Sequence, residues 1–101
     1  GTGRRRRRGG GRHVKKLRGV NVSRNRQGFI RYACLTYDEQ PKRMQNKIDR
    51  LLRQCGGPYS AALREVMCGE DSITAIALRH YVSESTLYRL RKDFYESWYE
   101  K

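Results

Sequence analysis

Between positions 83 and 92 the chain gathers Ser83, Glu84, Ser85, Tyr88, Arg89 and Lys92. These side chains are suited to reading or gripping a nucleic acid. Hydroxyls bond bases and phosphates, a guanidinium matches the O6 and N7 acceptors of guanine, and an ammonium attracts phosphate. Glu84 is the exception, because its carboxylate repels phosphate unless it accepts from a cytosine amino group. A second cluster, Arg4, Arg5, Arg6, Arg7 and Arg8, offers attraction to any polyanion regardless of sequence. Catalytic chemistry finds no comparable grouping. His13 and His80 stand far apart with no paired acid and nucleophile, no glycine-rich phosphate loop runs into Lys-Ser or Lys-Thr, and the acidic residues are scattered. Neither an enzymatic activity nor a cofactor is expected. Cys34, Cys55 and Cys68 are 21 and 13 positions apart. That spacing lacks the close pairs a zinc site needs, so no metal is expected, and an odd count predicts reduced thiols.

The elements that would position the first cluster are legible. Ser83 is a good N-cap, able to accept from the backbone of Ser85 or Thr86, and Leu87, Leu90, Phe94 and Trp98 then recur at the period of an amphipathic helix. Upstream, Ile73, Ile76, Ala77 and His80 form the matching stripe of a preceding helix, with Ala77 small where a crossing helix must come close. Val82 falls in the turn and plugs the corner. The six polar residues are what remains to point outward. The plain alternative is an ordinary helical hairpin with a solvated face. Tyr81 occupies a turn position where glycine is common, so the turn must form without a residue that tolerates a left-handed backbone.

Val-Ser-Glu-Ser-Thr-Leu-Tyr-Arg at 82–89 resembles the second helix of sigma-factor C-terminal regions and of resolvase or invertase DNA-binding domains. Taken with Tyr37-Asp38, Pro41 and the Ala-Leu-Arg-His-Tyr run at 77–81, the chain looks like the small phage and prophage late-gene transcription regulators of the RinA and ArpU type. The resemblance covers about residues 36–99. It implies a helix-turn-helix that binds double-stranded DNA at a phage promoter, with RNA polymerase as a candidate partner.

Charge is unevenly distributed. Residues 1–37 hold 12 basic and no acidic residues, whereas 38–101 hold 11 basic and 10 acidic ones. Residues 1–28 are accordingly expected to be a flexible arginine- and glycine-rich arm and linker, and 29–101 the folded domain. The arm is suited to a DNA backbone or minor groove, although such runs bind RNA as readily, and a solubilising tail is the plain alternative. No apolar run approaches the roughly 20 residues of a membrane span, and no charged-then-apolar leader appears. The expected setting is therefore the cytoplasm, at the nucleoid. Two rival functions stay open: a small terminase-like subunit for phage DNA packaging, and an RNA-binding or ribosome-associated protein that uses the arm.

Between arm and reading helix, Phe29, Ile30, Ala33, Cys34 and Tyr37 fit a short helix over about 27–35. Pro41 starts a longer one, whose inward residues are Met44, Ile48, Leu51, Leu52 and Cys55 and which Gly56-Gly57 end. Pro58 opens the next, with Tyr59, Ala62, Leu63, Val66 and Met67 on its apolar side and Gly69 at its stop. The expected fold is all-α: a small bundle of about four helices over 38–99, ending in the helix-turn-helix. Tyr95 and Tyr99 are expected as an exposed apolar patch beside the buried stripe, fit for a second copy of the chain or another protein partner.

Overall fold

The computed structural model describes residues 20–99. Five α-helices make up the described chain: α1 (Arg24–Leu35), α2 (Lys42–Gly56), α3 (Ser60–Cys68), α4 (Ile73–His80) and α5 (Glu84–Ser97). Single 3-10 turns at Tyr37–Glu39 and Gly57–Tyr59 lead into α2 and α3. The fold is all-α, and the four helices expected after residue 38 are present with α1 in front of them.

The shortness of α3 and its position are linked. Ala62, Leu63, Val66 and Met67 are all buried, and α3 packs against each of the other four helices. Ile30, Ala33 and Cys34 of α1, Ile48, Leu51 and Leu52 of α2, Ile76 and Ala77 of α4, and Leu87, Leu90 and Phe94 of α5 close around it. The turn from α2 to α3 depends on Gly57, whose φ of +54° lies where a side chain would be strained.

Two expectations are corrected at the ends of the domain. The stretch read as linker up to residue 28 belongs in part to the fold. Ser23 caps α1 by accepting from the Arg26 amide at 3.3 Å, Val20 joins the core, and Gln27 is buried with its Nε2 donating to the Val22 carbonyl at 2.8 Å. Alternation of Val20 and Val22 with polar residues carries no helical signal, so their burial was invisible to periodicity. Tyr95 is the second. It is only 4 % exposed, because α5 packs on both α2 and α3 and buries a wider arc than one stripe. Tyr99 remains half-exposed with the Arg26 guanidinium 4.5 Å from its ring centre, so the expected two-tyrosine patch does not exist.

Arg31 solves the problem of α3's last carbonyls. Its guanidinium donates to the carbonyls of Val66 (2.6 Å), Met67 (2.7 Å) and Gly69 (3.0 Å), groups that a helix end leaves without partners. No helix among the described residues is long and apolar enough to cross a membrane.

Candidate nucleic-acid interface

Serine caps start both α4 and α5. The Ser72 hydroxyl accepts from the Ala75 amide at 3.1 Å, and the Ser83 hydroxyl accepts from the Thr86 amide at 3.2 Å. Between them Tyr81 takes the left-handed conformation, φ 57° and ψ 44°, and the Val82 amide donates back to the Ala77 carbonyl at 3.1 Å. The turn thus forms in the way a glycine would allow, with a tyrosine whose side chain is 95 % exposed. Val82 is half-buried against the core, as a corner plug must be.

All six candidate residues of this segment are exposed, while Leu87, Leu90 and Phe94 point inward. Their situations differ. Ser83 spends its hydrogen-bonding capacity on the cap, since its hydroxyl also donates to the Thr86 hydroxyl at 2.8 Å. A carboxylate oxygen of Glu84 accepts from the Thr74 hydroxyl at 3.2 Å. Lys92 stands 3.7 Å from Glu96, one turn on. Tyr88 has the Arg91 guanidinium 5.1 Å from its ring centre. Arg89 has no acidic partner among the described residues, and the Ser85 hydroxyl shares a hydrogen bond with that of Ser83 at 3.3 Å. Arg4, Arg5, Arg6, Arg7 and Arg8 lie outside the described residues.

The sequence reading missed several neighbours of this cluster. Arg91 was not singled out, although its spacing of three from Tyr88 is the helical signal for contact. Thr74, Ala77, Leu78, Val82 and Glu84 line an open, mostly apolar groove between α4 and the start of α5, with Leu78 74 % exposed. No periodicity argument separates an exposed Leu78 from a buried one without knowing which side α5 covers.

The described fold holds 13 basic and 9 acidic residues, and its cations are not evenly spent. Arg79 pairs with Asp71 at 2.9 Å and with Glu65, which also meets His80 Nε2 at 2.7 Å. These partners, His80 first and then Arg79, hold the Glu65 carboxyl below its ordinary range. Arg64 binds Asp49 at 2.6 Å, and the Tyr37 hydroxyl donates to the same carboxylate at 2.8 Å. Burial would raise the Asp49 carboxyl, but the bonds from Arg64 and Tyr37 outweigh it and bring it down. The α2 helix is different. It holds Lys42, Arg43, Lys47, Arg50 and Arg53 against the single acid Asp49; Arg53 helps to lower the Asp49 carboxyl, and none of the five forms a close ion pair among the described residues. Lys42, Arg43, Arg50 and Arg53 are exposed, and Lys47 lies 4.5 Å from the Trp98 ring centre. Burial, with Arg50 nearby, pushes the Lys47 ammonium down from its ordinary value. The excess positive charge of the described fold is therefore concentrated on α2.

The backbone before α1 is tied to the far end of α5. The Asn21 amide donates to a Glu96 carboxylate oxygen at 2.9 Å, so the start of the described chain lies beside the C-terminal end of α5.

The chain matches no protein-family model, no curated protein and no solved structure. A functional reading therefore rests on this chain's own residues.

Proposed function

We propose that α4, the turn and α5 are a helix-turn-helix, and that the protein binds double-stranded DNA in a sequence-dependent way as a transcription regulator of phage or prophage type. The observation that carries the reading is Arg89: an exposed guanidinium with no acidic partner among the described residues, in the second turn of a serine-capped helix held across another. In this reading the first turns of α5 enter the major groove, which is about 12 Å wide and admits one helix. Arg89 takes the O6 and N7 of a guanine, Ser85 and Tyr88 approach base edges or phosphate, and α4 crosses the backbone. Ser83 positions the helix and does not read. Lys92 leaves Glu96 for a phosphate at little cost, since an exposed pair at this spacing contributes only about 0.3–0.5 kcal/mol.

Affinity comes from elsewhere. The cations of α2 supply phosphate contacts, and the arginine cluster supplies more, since it lies 12 to 16 positions before Val20, a chain length that spans at most roughly 40–55 Å. RNA polymerase and a second copy of the chain are the protein partners this reading admits. Selection of bound sequences from a random duplex library tests it. A consensus is the expected result, and two half-sites about 10 base pairs apart would mean a dimer. Recovery of no enriched sequence, or tighter binding of structured RNA than of any selected duplex at physiological salt, would overturn it.

A further inference from the structure

Cys34 on α1 and Cys68 at the end of α3 line one open cleft, together with Tyr37 and Arg64. The two helices pack directly, which brings both thiols to the same cleft. Cys34 is fully buried and Cys68 half-buried, so one sulfur of the pair meets solvent and the other sits behind it. Cys55 lies on α2 and does not line this cleft.

We propose that Cys34 and Cys68 are an oxidation site, at which hydrogen peroxide converts the two thiols into an intramolecular disulfide joining α1 to α3. The inference is independent of DNA binding.

The environment divides the labour between the two sulfurs. Its neighbour Cys68 and its own burial hold Cys34 in the thiol form, its proton lost far less readily than usual. Cys34, together with Arg64 and Arg31, brings the Cys68 thiol below the ordinary value despite partial burial. Cys68 is therefore the nucleophile. Its thiolate attacks one oxygen of the peroxide, the S–O bond forms as the O–O bond breaks, and the departing oxygen leaves as water after taking a proton. Cys34 then attacks the sulfur of the Cys68 sulfenic acid. The S–S bond forms, the S–O bond breaks, and the Cys34 proton leaves with the hydroxyl as a second water. The two thiols supply two electrons and the peroxide receives both. A buried resolving thiol needs no peroxide access of its own, because its target lines the same cleft.

The test uses the full chain, reduced and then exposed to one equivalent of hydrogen peroxide without denaturant, with remaining thiols alkylated before digestion and mass spectrometry. The expected product is a peptide pair linking Cys34 to Cys68, two hydrogens lighter than the sum of its parts, with Cys55 recovered alkylated. In Cys34→Ser, the sulfenic acid on Cys68 is expected to persist and be captured by dimedone. Before any oxidation, Cys68 should also alkylate several-fold faster than Cys55 at neutral pH. Crosslinks dominated by Cys55, dimedone capture on Cys55 in preference to Cys68, or oxidation to sulfinic acid with no 34–68 link would each overturn the proposal. The wild-type crosslink needs no variant, so a misfolded Cys34→Ser leaves the test intact.

Discussion

Thr74 donates its hydroxyl to Glu84 at 3.2 Å, joining the first turn of α4 to the first residue of α5. Glu84 also sits where a helix start favours negative charge. The residue that least suited a phosphate-facing surface thus has a task inside the helical pair. Replacing Glu84 by Gln keeps an acceptor for Thr74 and removes the charge. Affinity for every duplex should rise roughly fivefold, the factor corresponding to about 1 kcal/mol of relieved repulsion in water. Base preference should stay as it was. Loss of preference at one cytosine would instead assign Glu84 to base readout.

Arg89 and the α2 cations should separate in their effects. Arg89→Ala is expected to lose about 1–3 kcal/mol of discrimination at one position while binding random duplex almost as before. The double change Arg50→Gln and Arg53→Gln should weaken specific and random duplexes alike and lower the slope of log affinity against log salt by about 2. Equal losses on both DNAs from Arg89→Ala would remove it from readout, and an unchanged slope in the α2 variant would remove that face from the contact.

The sequence carried the all-α class, the caps at Ser83 and Gly56-Gly57 and the inward stripes, because these depend on residues a few positions apart. What it did not carry depends on partners far along the chain. Arg31 lies 35 positions before Val66, the first carbonyl it caps, and nothing local distinguishes it from a phosphate-binding arginine. Tyr95 looked peripheral because a single helix shows its stripe but not how many neighbours cover it. In the candidate site, the exposed polar cluster was legible from spacing, whereas the ties that occupy Ser83 and Glu84 were only half so. Ser83's partner is local, and Glu84's lies across the turn.

Acid should unfold the domain through two carboxylates. Asp49 and Glu65 are both held below their ordinary values of 3.8 and 4.5 by hydrogen-bonded partners. A folded-state value below the unfolded one means that the stabilisation is complete above the unfolded value and disappears as pH falls through the folded one. The urea midpoint should therefore be flat from neutral pH to about 5 and fall steeply below about 4. Asp49→Asn should lower stability at neutral pH by about 1 kcal/mol and flatten part of the acid fall. A variant that matches the parent at pH 7 and parallels it in acid would show that the Arg64 and Tyr37 contacts contribute nothing net.

Tyr81 permits a prediction in which stability and binding move apart. Its backbone is the one left-handed non-glycine among the described residues, and its side chain is almost fully exposed. A left-handed residue with a Cβ costs about 1–2 kcal/mol, while glycine loses more chain entropy on folding, about 0.5–1 kcal/mol. Tyr81→Gly should therefore stabilise the fold by about 0.5–1 kcal/mol, measured by urea unfolding. Nothing inside the domain explains a large aromatic at so strained and exposed a position. If the ring contacts DNA or a protein bound beside it, Tyr81→Gly will bind more weakly although it is more stable, and Tyr81→Phe will restore binding without the added stability. A variant that is more stable and binds equally well would leave Tyr81 without a role at the interface.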